Sequence, residues 1–68
     1  MTDADFALFE VIVKPGCEPA FDRRDLLVAS SRLTGRDGHK IYFCATVQAG
    51  AFRTYLSISD EVESYQEI

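Results

Sequence analysis

The stretch Lys40–Ile58, KIYFCATVQAGAFRTYLSI, holds the clearest local pattern in this 68-residue chain, and its reading decides the fold. Ile41, Phe43, Ala45 and Val47 alternate with Tyr42, Cys44 and Thr46, a period of two that marks residues 40–47 as a strand. Gln48-Ala49-Gly50 then reads as a three-residue hairpin loop, with Gly50 at the left-handed position that forms a bulge. In residues 51–58, Phe52, Thr54, Leu56 and Ile58 alternate with Arg53, Tyr55 and Ser57, so the segment reads as the returning strand. The expected core face of this hairpin is Ile41, Phe43, Ala45, Phe52, Leu56 and Ile58.

Upstream, Phe6–Lys14 also alternates. Ala7, Phe9, Val11 and Val13 share one face, and Leu8, Glu10, Ile12 and Lys14 the other, as in a half-covered strand. Pro15-Gly16 ends it with the residue types of a type II turn. Residues 18–33 read as a helix, with Pro19 in its first turn and Gly35 just past its end. The apolar residues there form no single stripe, so a strand over Leu26–Leu33 stays open. That strand would pair with residues 40–47 across Asp37-Gly38, a strong hairpin signal.

Downstream, residues 59–67 read as a short helix. Ser59 can cap it, Asp60 and Glu61 suit its positive end, and Val62 and Tyr65 share a face. The expected fold is α+β: an antiparallel sheet of three to four strands with one or two helices on one face, in the order β-α-β-β-α. A single domain spans residues 1–68.

So short a chain buries only about 60% of the surface its unfolded form exposes. Hydrophobic residues make up 47% of it, which provides one core, and a partner subunit is a common supplement at this size. A homodimer is therefore an expectation. The net charge is −4, spread unevenly: −3 in the first ten residues, −4 in the last ten and +3 between. The N-terminus lacks the basic and apolar regions of an export signal, and no apolar run reaches the ~20 residues of a membrane span. The expected location is the cytoplasm, with Cys17 and Cys44 as free thiols.

No motif for catalysis, metal or cofactor is legible. Cys17, His39 and Cys44 match no zinc spacing, and no Gly-rich phosphate loop occurs. Cys17 lies in a turn three residues from Lys14, where a cation can activate a thiol, yet His39 is the sole candidate base for it. The expectation is a non-enzymatic protein-interaction domain that binds or occludes a macromolecular partner. Inhibitors, antitoxins, immunity factors and adaptors work in this way, and phage or mobile-element anti-defence (anti-CRISPR-like) proteins are one form. The expected contact residues are Tyr42, Arg53 and Tyr55 on an exposed strand face, and Glu61, Glu63 and Glu67 on the terminal helix. The alternative is a nucleic-acid module built on Arg23, Arg24, Arg32, Arg36 and Lys40, for which the acidic sequence pI of about 4.7 is unfavourable.

Glu10-Val11-Ile12-Val13-Lys14-Pro15-Gly16, followed by Glu18 and Phe21, resembles the opening strand and helix of antibiotic-biosynthesis-type monooxygenases. The resemblance covers about 12 residues and implies a ferredoxin-like barrel made by two subunits. The chain departs from that pattern in its shortness and in the helix expected at its end, and no activity is carried over.

Overall fold

The computed structural model describes residues 5–19 and 26–68. Four strands form one antiparallel sheet: β1 (Ala7–Val13), β2 (Ala29–Thr34), β3 (Lys40–Thr46) and β4 (Val62–Glu67). A helix, α1 (Ala49–Ile58), joins β3 to β4. The spatial order is β2-β3-β1-β4. β3 and β4 both run antiparallel to β1, hence parallel to each other, and α1 is the crossover between them. This is a split β-α-β unit with β1 filling the gap.

The α+β class and the single antiparallel sheet are as the sequence suggests. The element order is not. The described order is β-β-β-α-β, and residues 20–25 of the helix expected over 18–33 lie outside the described residues. The tail of that segment takes its strand reading, since Ala29–Thr34 pairs with β3. Asp37 and Gly38 take φ of 58° and 79° in the connecting turn, the left-handed pair that twists a tight hairpin correctly. The Pro15-Gly16 turn also forms: Gly16 has φ of 82°, and the Cys17 N–H donates to the Lys14 carbonyl at 3.2 Å.

Two expectations downstream are overturned. Residues 51–58 are helix and not a returning strand. Phe52 and Leu56 satisfy both periods, but Ala49, Phe52 and Leu56 are buried together, the i, i+3, i+7 stripe of a helix. Gly50 sits in the first helical turn and not in a bulge. Residues 62–67 are a closing strand and not a helix. Ser59 ends α1 instead of starting another helix: its N–H donates to the Leu56 carbonyl at 3.3 Å. The Val62 N–H then turns back onto the Ser59 carbonyl at 3.4 Å. Ser, Asp and Glu suit a turn as well as a helix start, and the open edge of β1 decides between them.

The core lies between the sheet and α1. Ala7, Phe9, Val11 and Val13 of β1 face it, with Cys44 and Thr46 of β3 and Ala49, Phe52 and Leu56 of α1. Phe52 meets Phe9 edge-on, with ring centroids 5.3 Å apart and planes at 73°. The β1 face was legible. The β3 face is inverted: Ile41, Phe43 and Ala45 are only half-buried, and Ile58 is 74% exposed. Thr46, fully buried, donates its hydroxyl to the Leu26 carbonyl and accepts from the Gln48 N–H at 2.9 Å. Its polarity is thus satisfied while it pins the start of α1 to the approach to β2.

Phe52→Ala is expected to cost about 3–5 kcal/mol, most of the stability of so small a domain. Gly50→Ala, at a helical position with nothing within 4 Å of the added carbon, is expected to stabilise by about 0.5 kcal/mol. Urea unfolding followed by circular dichroism checks both. If Gly50 were instead the left-handed residue of a hairpin loop before a strand over 51–58, the Gly50 change would lower stability.

Candidate functional site: the helix-free face of the sheet

Residues that alternate with the buried ones point away from α1. The register arranges them in rows. Ala29, Ala45 and Leu8 form one row; Ser31, Phe43, Glu10 and Gln66 the next; Leu33, Ile41, Ile12 and Ser64 the third. Leu8 is 43% exposed and Leu33 56%, while Ile12, Ile41, Phe43 and Ala45 are half-buried by their neighbours alone. Seven of these side chains are apolar and one, Glu10, is charged. The Gln66 amide donates to Glu10 Oε1 at 3.1 Å, which ties down that carboxylate. Contiguous exposed apolar surface of this kind marks a contact site more often than a solvated face.

At one end of the face lies a shallow hollow of about 260 Å³, bordered by Ile12, Asp37, His39, Ile41, Glu63 and Ser64. A β-bulge builds it. Val13 pairs with Val62 and Ile12 with Ser64, so Glu63 is one extra residue on β4. Bulges re-aim side chains, and here Glu63 meets His39 across the sheet, Nε2 to Oε1 at 3.2 Å. The pair is partly exposed and joins the start of β3 to β4 over the end of β1.

The expected contact residues do not gather on one surface. Tyr42 and Tyr55 pack against the core on the helix side. Arg53 lies over the Phe9 ring, 5.7 Å from its centroid, and pairs with Glu67 on that same side. Glu63 is bonded to His39 on the opposite face, and Glu61 lies in the turn, where its carbonyl accepts from the Lys14 N–H at 2.9 Å. The acidic helix face expected for Glu61, Glu63 and Glu67 is absent because the segment is a strand.

Of the basic group, Arg23 and Arg24 lie outside the described residues. Arg36 sits in the β2–β3 turn. Arg32 and Lys40 both converge on Glu18, at 3.2 and 2.8 Å. The Lys40 hydrogen bond and charge, with Arg32 behind them, hold the Glu18 carboxyl below its ordinary range. Burial pushes the Cys44 thiol up to about 11, which makes it a packing group and not a nucleophile.

Sequence reading missed the helix-free face because it assigned Ile41, Phe43 and Ala45 to the core. The available signal was that β1 and β3 are apolar on both faces, the mark of strands covered on both sides. Among the described residues no group of three His, Cys, Asp or Glu could hold a metal ion, and no helix is long and apolar enough to cross a membrane. Comparison of the chain with protein-family models, curated proteins and solved structures finds no match.

A titration and an alkylation test these electrostatics. Because the folded Glu18 value is depressed, its pairing stabilises the fold above the ordinary carboxylate pKa, and that contribution is lost as pH falls through the lowered value. Lys40→Met is expected to move the Glu18 midpoint, read by NMR, back towards the ordinary value; an unmoved midpoint would remove the pairing. Cys44 is expected to resist iodoacetamide at pH 8 in the folded chain and to react once urea unfolds it.

Proposed function

We propose that this chain is a non-enzymatic protein-interaction domain that docks an apolar protein surface on the helix-free face of its sheet. The observation that carries the reading is the mismatch between pattern and cover: the two central strands are apolar on both sides, and α1 covers one. Two of the ionisable groups on the open face are paired within the chain, Glu10 with Gln66 and His39 with Glu63. What the face offers a partner is therefore shape and apolar area. Domains of this kind work by occupying or occluding a surface, as an inhibitor or adaptor does. Free Cys17 and Cys44 fit a reducing cytoplasm.

Nucleic-acid binding finds less support. Arg32 and Lys40, two of its expected contacts, already share one carboxylate, and the face itself carries no cation in its three rows.

The test is capture by the tagged chain from its host lysate, with and without nuclease. A stoichiometric protein is expected to survive nuclease, to be lost with Ile41→Glu, and to be retained with Glu67→Lys, which alters the helix side. Circular dichroism confirms that each variant is folded. Capture that depends on nucleic acid, or that folded Ile41→Glu leaves intact, would overturn the reading.

A further inference from the structure

We infer that the outer edge of β4 and the groove beside it take up an extended, basic segment of a partner protein, which adds to the sheet as a further strand. This surface is separate from the helix-free face and stands without it.

Backbone pairing is the first argument. β4 is the last strand of the sheet, with β1 on one side and no strand among the described residues on the other. The Ile68 N–H donates to the Leu8 carbonyl at 2.8 Å. Antiparallel ladders alternate, so Ser64, Gln66 and Ile68 address β1, while Tyr65 and Glu67 turn their N–H and C=O groups outwards. Past the bulge at Glu63 the strand is regular, and it carries none of the lysines or prolines that blunt a sheet edge. An extended chain laid there gains main-chain hydrogen bonds whatever its sequence.

Charge selects the segment. Asp60, Glu61, Glu63 and Glu67 all lie on β4 or in the turn that leads into it. Arg53 is paired with Glu67, and His39 with Glu63. Lys14 meets Glu61 through the main chain, its N–H on the Glu61 carbonyl. The side chains of Asp60 and Glu61 have no ion-pair partner among the described residues. The edge therefore opposes a second β4, whose acids would stand beside its own, and attracts cations. β2, at the other edge, carries a base instead, Arg32, which Glu18 holds.

α1 supplies a place for one of those cations. A groove of about 400 Å³ runs between the end of the helix and β4, bordered by Leu56, Ser57, Ser59, Val62, Glu63 and Tyr65. No base occupies the last turn of α1, so no cation of the helix itself answers the negative end of its dipole. Tyr65 opposes the buried Val11 and so lies on the same side of the sheet as α1. A strand added beside Tyr65 sends alternate side chains to that side. A Lys or Arg among them reaches the carboxyl end of α1, with Val62 and Tyr65 to cover its methylenes.

Fluorescence anisotropy with three labelled peptides tests the proposal: a short alternation of Thr and Lys, the same peptide with Glu for Lys, and the Thr-Lys peptide N-methylated at alternate residues. The Thr-Lys peptide is expected to bind saturably, one per chain, and more weakly as salt rises. The glutamate peptide is expected not to bind. N-methylation keeps the charge and removes main-chain donors, and is expected to weaken binding about tenfold or more. Asp60→Lys combined with Glu61→Lys is expected to weaken the Thr-Lys peptide by about tenfold. Tyr65→Pro removes an outward N–H while sparing the β1 ladder, and is expected to do the same. Circular dichroism reports the fold, and the turn variant keeps the test valid where Tyr65→Pro does not fold. Ile41→Glu, on the helix-free face, is expected to leave peptide binding unchanged, so this inference and the docking reading fail separately. A Thr-Lys peptide that does not bind, that binds no better than the glutamate peptide, or that binds as well when N-methylated would overturn the inference. So would a folded turn variant that holds the peptide unchanged.

Discussion

α1, the one α-helix among the described residues, covers only one face of the four-stranded sheet, and the rest of the described structure follows from that constraint. α1 is ten residues long and places Ala49, Phe52 and Leu56 against Phe9, Val11 and Val13. The edge-on contact of Phe52 with Phe9 fixes the helix over the central strand, and Arg53 closes over the Phe9 ring from the solvent side. Among the described residues no second layer reaches the other face. The apolar side chains there are exposed or sheltered only by each other.

β1 contributes to both the core and the open face. It pairs with β3 on one side and β4 on the other, so its backbone is satisfied along both edges. Its even residues supply Leu8 and Ile12 to the open face, and its odd residues supply the core. The bulge opposite Ile12 and Val13 lets β4 follow the sheet while turning Glu63 towards His39. That hydrogen-bonded pair marks the boundary between the apolar rows and the polar turn at Asp37-Gly38. Polar groups elsewhere are similarly absorbed within the fold: Thr46 by Leu26 and Gln48, Glu18 by Lys40 and Arg32.

Legibility in the sequence followed the strength of local constraints. Pro15-Gly16 and Asp37-Gly38 were readable because only certain residues tolerate the backbone angles those turns require. β1 was readable because its alternation runs through seven residues without a competing helical stripe. Residues 51–58 were misread because Phe52 and Leu56, four apart, fit both a strand face and a helix face. Ala49 broke the tie only once its burial was known. The terminal strand was misread for a similar reason: Ser59-Asp60-Glu61 begins a helix or makes a turn with equal ease. The open face was missed as a site because its apolar residues were taken for core.

The sequence by itself determined the α+β class, the first strand with its inward face and two turns. These depend on interactions between residues close in sequence, where side-chain period and backbone strain act directly. Only the tertiary structure decided which face of β3 is buried, that residues 49–58 coil and that residues 62–67 extend. Each of those choices is set by a partner far along the chain. β1 offers an unpaired edge that a strand fills and a helix cannot, and Phe9 offers a ring that Phe52 reaches only from a helix laid across the sheet.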